Sequence, residues 1–220
     1  MRGLFVTGTD TGVGKTVVSA ALMHRLRRHN LRYWKPVETG IEQDDDTVTV
    51  ARLSGAAAGQ FLRDGVRLPR PLSPHLAARL HGTRISLDDL ELLAARQPEG
   101  AWIVEGAGGV LVPLNDTDLM VDLIHRLGMP AVITARSGLG TINHTLLTVA
   151  ALRQRAVTIA GVVLVGERND ENRAAIARYG DVTVVGELSW LDPLTPAALV
   201  LQADALDPER HLERMLGDAS

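Results

Sequence analysis

Gly3-Leu4-Phe5-Val6-Thr7-Gly8-Thr9-Asp10-Thr11-Gly12-Val13-Gly14-Lys15-Thr16 opens the chain and decides how the rest of the sequence is read. Its first five residues are a short apolar run of strand type. Val17 to Arg28 then carries apolar side chains at Val17, Ala20, Ala21, Met23 and Leu26, a helical spacing. Between the two, glycines let the backbone turn so that successive N–H groups point inward, Lys15 supplies a movable cation, and the Thr16 hydroxyl suits a magnesium shell. Strand, glycine-rich loop and helix in this order form a phosphate cradle, and the implied ligand is a nucleoside triphosphate. The strict pattern has its first glycine where this chain has Thr9; Gly8 comes one residue early, so the loop is one residue longer. The plain alternative is a glycine-rich turn with an incidental lysine.

The 220 residues suit a single domain, residues 1–220, long enough to bury one large core. Apolar residues make up 45% of the chain and aromatics only 3%, so the core is expected to be Ala, Val, Leu and Ile, as in parallel strands covered by helices. A formal charge of −3 provides no basic field for nucleic acid. The absence of cysteine removes disulfides, thiolate metal sites and cysteine nucleophiles. With no signal-like start and no uninterrupted apolar run of ~18 residues, the expectation is a soluble, cytoplasmic protein without a membrane partner.

Strand-like runs recur at Gly3–Gly8, Leu31–Trp34, Trp102–Glu105, Ala131–Ala135, Val157–Val165 and Val182–Gly186. Helical spacing covers Val17–Arg28, Thr47–Leu53, His75–Leu80, Leu87–Ala95, Leu119–Leu127, Thr141–Arg153, Glu171–Tyr179 and Glu209–Leu216. The alternation predicts a mostly parallel, doubly wound α/β sheet, and the phosphate loop at its start makes the expected fold the three-layer phosphate-loop NTPase type. Between Gly55 and Pro74 prolines gather, and the connection is expected to wander over the surface instead of continuing the sheet.

Chemistry-bearing residues fall at the carboxyl ends of these strands, where open α/β sheets bind ligands. Glu105, followed by Gly106-Ala107-Gly108-Gly109, reads as a magnesium ligand opposite the phosphate loop or as an acid that caps the glycine turn. Lys35 follows the second strand and aims at the crevice, or is a solvated lysine at a strand end. Asp46 heads a helical stretch, where aspartate is an ordinary N-cap. The seven histidines show no metal-ligand spacing, and no serine sits in a nucleophile elbow.

Together, the phosphate loop, Lys35-Pro36-Val37-Glu38-Thr39-Gly40, Pro71-Leu72-Ser73-Pro74-His75, Glu105-Gly106-Ala107-Gly108-Gly109 and Leu139-Gly140-Thr141-Ile142-Asn143-His144 resemble the ATP-dependent dethiobiotin synthetase family. The blocks occur in the family's order over roughly the first two-thirds of the chain. The resemblance implies a Mg²⁺-dependent ligase that makes dethiobiotin from 7,8-diaminononanoate, CO₂ and ATP in biotin biosynthesis, working as a homodimer. By position it makes Thr16, Asp46 and Glu105 the metal ligands, Lys35 and Lys15 catalytic, and Gly12, Val13, Gly14, Lys15, Thr16 and Val17 the phosphate loop. Thr11, Lys35, Thr39 and Ser73 would face the diamine. Gly140, Thr141, Ile142 and Asn143, lent by the partner subunit, would seat its distal carboxylate at a helix start.

The nucleotide would also meet Asp46, Glu105, Gly106, Ala107, Gly108, Val165, Gly166, Ser189, Trp190 and Leu191. After the strand ending at Leu164 the family often has an adenine-reading asparagine, whereas this chain has Val165-Gly166-Glu167-Arg168-Asn169; Ser189 replaces a usual proline. Asn169 could take over only if the loop shifts, so ATP is the first expectation and other nucleoside triphosphates stay open. A second class is a nucleotide-switched partition or positioning ATPase of the deviant phosphate-loop group. That group carries an extra lysine five residues before the main one, and here the position is Asp10.

Overall fold

The computed structural model describes residues 2–217; of the expected domain, residues 1 and 218–220 lie outside the described residues. Its strands are β1 (Arg2–Gly8), β2 (Arg32–Trp34), β3 (Val37–Thr39), β4 (Phe61–Leu62), β5 (Val66–Leu68), β6 (Ala101–Gly109), β7 (Ala131–Arg136), β8 (Ile159–Val165) and β9 (Val184–Leu188). The helices are α1 (Lys15–Arg25), α2 (Asp46–Ser54), α3 (Pro74–Leu80), α4 (Leu87–Ala95), α5 (Met120–Leu127), α6 (Thr141–Gln154), α7 (Asp170–Gly180), α8 (Pro196–Ala203) and α9 (His211–Leu216).

A seven-stranded sheet runs β4-β2-β6-β1-β7-β8-β9, and β3 and β5 form a separate two-stranded ribbon. Among the described residues every pairing between these strands is parallel. This is the α/β architecture read from the alternation. Helices cover both faces, so the strands need no polar side: Leu4 and Val6 of β1 pack into one buried cluster with α1 and α8, while Phe5 packs into the other with α4 and α5. The chain leaves β1 toward β2 and later crosses from β6 to β7 on the other side of β1. The carboxyl end of β1 is therefore the point where the winding reverses and a ligand crevice opens.

Pairing register sets what lies at that edge. Trp34 of β2 pairs with Val104 of β6, and Glu105 pairs with Val6 of β1, which brings Lys35, Glu105 and the start of the glycine loop side by side. Beyond Glu105 the register slips: Val6 pairs with Glu105 but Gly8 with Gly109, so β6 carries two extra residues there. Gly106 belongs in this slip because a Cβ there would lie 2.9 Å from Phe5 Cε1 and 3.2 Å from Met120 Sδ.

The 55–74 connection differs from expectation. Phe61–Leu62 adds the outer strand of the main sheet against Tyr33 and Trp34, and Val66–Leu68 pairs with β3. Two- and three-residue strands are too short to show a period in sequence. Helix α8 was also not expected, although Thr195 accepts a cap hydrogen bond from Ala198 N–H and Pro196 stands at the first turn. The first helix begins at Lys15 and gives way after Arg25 to a 3₁₀ turn at Arg27–His29, short of the expected Arg28 end. The last helix starts at His211, two residues late, because Asp207 accepts from the N–H groups of His211 and Leu212.

Gly106→Ala is expected to destabilise the fold by about 1–3 kcal/mol, the usual cost of overpacking a filled core. Urea unfolding checks it, and Phe5→Leu in the same chain should restore part of the loss; an Ala variant as stable as the parent would contradict the packing described.

Candidate functional site

The glycine loop folds tightly over Gly8. A Cβ on Gly8 would lie 2.8 Å from the Asp10 carbonyl oxygen, 2.9 Å from Val13 Cγ2 and 3.1 Å from Lys15 Nζ. The early glycine of the pattern thus sits where the longer loop closes on itself. Gly12 and Gly14 take left-handed backbone, φ 70° and 96°, which glycine adopts without penalty. Val18 N–H closes on Gly14, whereas the backbone N–H groups of Gly12 to Val17 meet no protein acceptor among the described residues. Six donors at a helix start make an anion seat. Asp10 and Thr11 are braced from β7: Arg136 reaches Asp10 Oδ2 at 3.3 Å and donates to the Thr11 carbonyl at 3.1 Å.

Behind the loop lies a cluster of charge. Glu105 is wholly buried at the end of β6. Its Oε2 accepts from Tyr33 Oη at 2.9 Å, and its Oε1 accepts from Lys35 Nζ at 2.8 Å and from Thr16 Oγ1 at 3.1 Å. The single Thr16 hydroxyl proton is shared between Glu105 and Asp46 Oδ1, the closer acceptor at 2.7 Å, and Lys35 forms a close ion pair with Asp46 Oδ2. Lys35 is therefore not a solvated lysine at a strand end, nor does Glu105 merely cap a turn.

The two neighbouring aspartates divide their work. Asp45 is the N-cap of α2, its Oδ1 accepting from Val48 N–H at 2.9 Å; Asp46 occupies the first helical position and turns its carboxylate to Thr16 and Lys35. The expectation that Asp46 alone would read as a cap is thereby corrected to its neighbour. Asp46 N–H in turn donates to Glu38 Oε1 at 2.6 Å.

Burial and neighbouring charge set the proton affinities. Burial lowers Lys15 to about 8, with the nearby Lys35 acting in the same direction. For Lys35 burial also opposes the charge, but Glu105 and Asp46 outweigh it and its pKa is raised. Tyr33 is pushed well above its usual range by burial and by Glu105. Asp46 is held below the ordinary carboxylate range because Lys35 and Thr16 together outweigh its burial. In this structure Lys15 Nζ donates to the Asp10 carbonyl at 2.9 Å, across the loop.

The remaining candidates surround this centre in three groups. Val165 packs under the loop, its Cγ1 3.2 Å from where a Cβ on Gly14 would stand, and Gly166 lies against Ser137 and Trp190. Trp190 is largely exposed beside Ser189 and Leu191. Asn169 is not free to read a base with its carbonyl: its Oδ1 accepts from Asn172 N–H as the cap of α7. Thr39 ends β3, and Gly40 packs on Pro71, two residues before Ser73, which precedes α3. Thr11 lines a cleft of about 360 Å³ with Val110, Leu111, His144, Leu147 and Thr148. Gly140 is the left-handed N-cap of α6, and Thr141, Ile142 and Asn143 form its first turn, directly before His144; Leu139, ahead of them, is fully exposed. Ala107 and Gly108 follow Glu105 in the register slip.

Tyr33, Glu38, Asp45 and Arg67 were not singled out from sequence. Tyr33 had a signal, since residues 33 and 35 of an extended segment face the same way. Among the described residues no group of three or more His, Asp or Glu forms a metal cluster. Thr16, Asp46 and Glu105 instead offer a hydroxyl and two carboxylates, hard oxygen donors of the kind magnesium takes beside phosphate. No helix among the described residues is long and apolar enough to cross a membrane.

A family described as "AAA domain" matches residues 2–198. The chain is 50% identical over 199 residues to the "ATP-dependent dethiobiotin synthetase BioD" of Paramagnetospirillum magneticum, covering 90% of this chain and 93% of that protein. The protein of the same name from Agrobacterium fabrum is 48% identical, over 88% of this chain and 89% of its own length. Among solved structures, the ATP complex of a single-substitution variant of Cyanothece McdA superposes with a TM-score of 0.62 at 13% identity, covering 100% of this chain and 98% of the other. A ParA family ATPase from Chlorobium tepidum reaches 0.58 at 12%, covering 98% and 97%. At such identity these two show the phosphate-loop fold alone.

The lowered affinity of Lys15 has a measurable consequence. Near pH 8 about half of Lys15 is neutral in the free protein, and a bound polyphosphate favours the charged form. Triphosphate binding at pH 8 should therefore take up a fraction of a proton that vanishes below pH 7. Calorimetry in buffers of different ionisation enthalpy measures it; uptake that is equal at pH 6.5 and pH 8 would contradict the assignment.

Proposed function

The chain belongs to the ATP-dependent dethiobiotin synthetase family, and from that premise we propose that its buried cluster of Thr16, Lys35, Asp46 and Glu105 is the reaction centre of an ATP-dependent ligase. It joins CO₂ and 7,8-diaminononanoate in the cytoplasm at the expense of ATP or another nucleoside triphosphate. The observation that carries the reading is Lys35: a buried lysine shared by two carboxylates directly behind an anion seat. We read residues 1–220 as one synthetase domain.

The obstacle in this chemistry is repulsion between anions. A diamine that has captured CO₂ presents a carbamate, whose oxygen must approach a γ-phosphoryl group that is itself negative. Six free N–H groups from Gly12 to Val17 would hold the phosphates, and Lys15, released from the Asp10 carbonyl, would follow them. Lys35 stays protonated beside Asp46 and Glu105 and is placed to neutralise the carbamate as it approaches. Thr16, Asp46 and Glu105 would hold Mg²⁺, which when bound draws charge from the transferring phosphoryl group.

The carbamate oxygen bonds to the γ-phosphorus as the bond to ADP breaks, giving a carbamic–phosphoric anhydride. The second amine of the same molecule attacks the carbonyl carbon, phosphate leaves with the former carbamate oxygen, and the nitrogen proton passes to solvent. Ring closure within one molecule makes this last step easy. Thr11, Thr39 and Ser73 would position the diamine. The exposed Leu111, Leu139 and Leu147 support a homodimer in which the Gly140–Asn143 turn serves the other protomer's site. Val165, Gly166, Ser189, Trp190 and Leu191 would border the base, where the engagement of Asn169 as a helix cap favours loose base selection.

Lys35→Ala should lower ring closure about a hundredfold or more, the scale for losing a transition-state charge partner, while nucleotide affinity changes little. Phosphate release and ureido product are measured with diamine, bicarbonate, Mg²⁺ and each triphosphate in turn. Parent-like activity in the variant would overturn the role of Lys35, and triphosphate turnover indifferent to the diamine would replace the synthetase with a nucleotide switch.

A further inference from the structure

Glu38 is wholly buried, and its hydrogen bonds go to Asp46 and Arg67, not to the glycine loop or Lys35. It sits on β3, and its register partner on β5 is Arg67. Both of its oxygens are committed: Oε1 accepts from Asp46 N–H at 2.6 Å, and Oε2 from Arg67 Nη1 at 2.6 Å. The other arm of the same guanidinium, Nη2, donates to Asp45 Oδ2 at 2.6 Å, while Asp45 Oδ1 caps α2. One planar arginine thus grips the carboxylate that holds the backbone of Asp46 and the carboxylate that starts its helix. Two fixed points on consecutive residues leave the Asp46 side chain facing Thr16 and Lys35.

We propose that Glu38 and Arg67 are positioning residues for this reaction, aiming the Asp46 carboxylate at the metal while touching neither metal nor substrate. The two-stranded ribbon β3–β5 then has a purpose that a surface connection would lack. Its first strand follows Lys35 and ends at Thr39, so one rigid ribbon links the lysine, the threonine that would face the diamine, and the orientation of Asp46. The bidentate fork of Arg67 suits this work and a lysine would not reproduce it. The inference rests on the reading of Asp46 as a metal ligand.

Manganese(II) binding in the presence of ADP, followed by electron paramagnetic resonance, tests it without turnover, using Glu38→Gln, Arg67→Lys and Asp46→Asn. ADP affinity in EDTA and thermal melting accompany each variant. The expected result is about a ten- to hundredfold weaker manganese affinity in Glu38→Gln and in Arg67→Lys, the scale found for groups that orient metal ligands. ADP affinity in EDTA should stay within about twofold, since a general loosening would weaken both. If Glu38→Gln fails to fold, Arg67→Lys decides alone, because it retains the charge and loses only the fork. Manganese affinity unchanged in the positioning variants but weakened in Asp46→Asn would overturn the inference and leave the metal site standing. Unchanged affinity in Asp46→Asn as well would overturn the reading of Asp46 itself.

Discussion

The carboxylate of Glu105, shut away from water at the end of β6, is the constraint around which the site is built. A buried charge of this kind persists only when paired and fully hydrogen-bonded. Tyr33 serves one oxygen; Lys35 and Thr16 serve the other. Removing one partner from such a buried pair costs about 3–5 kcal/mol, so the fold has strong reason to keep all three in place. Two of them, Thr16 and Lys35, also reach Asp46, which ties α2 to the glycine loop and to β2. Two of the groups that make Glu105 tolerable, Thr16 and Lys35, are also ones that the proposed phosphoryl transfer would use.

Parallel pairing explains why these residues meet. β2, β6 and β1 are neighbours that point the same way, so Lys35, Glu105 and the loop after Gly8 emerge at one edge. No single helix or hairpin could assemble them. The slip of two residues between Gly8 and Gly109 lets β6 leave the sheet once Glu105 has been placed, and Gly106 makes room for it against Phe5. The two lysines are held differently: Lys35 is bound into the carboxylates, whereas Lys15 Nζ donates to a neutral carbonyl, that of Asp10, which it would leave for a phosphate in the proposed reaction.

Local and periodic features were legible in the sequence. The glycine loop, the apolar strands and most helices declare themselves within ten or fifteen residues, and they were read with only their ends misplaced. The ribbon β3–β5 was not, because its strands are three residues long and Glu38 meets Arg67 across 29 positions. Adjacent aspartates pose a similar problem: Asp45 and Asp46 are alike as residue types, and only the backbone at the start of α2 decides which caps and which faces Thr16. Helix α8 escaped for a different reason, since its threonine cap and proline are local signals that lie in a stretch of weak periodicity. The segments proposed to border the base were the least readable, as they combine the end of β8 at Val165 with an irregular stretch around Ser189 and Trp190 that has no period.

If the buried cations bring a carbamate oxygen onto the γ-phosphorus, that oxygen must leave with the phosphate. Isotope transfer tests this directly: the reaction is run with the diamine, ATP and ¹⁸O-labelled carbon dioxide, quickly enough to limit exchange with water, and the released phosphate is examined by mass spectrometry. One ¹⁸O is expected in each phosphate released with ring closure, because the bond that breaks lies between carbon and the former carbamate oxygen. Phosphate free of the label while labelled carbonyl appears in the product would contradict transfer to a carbamate oxygen.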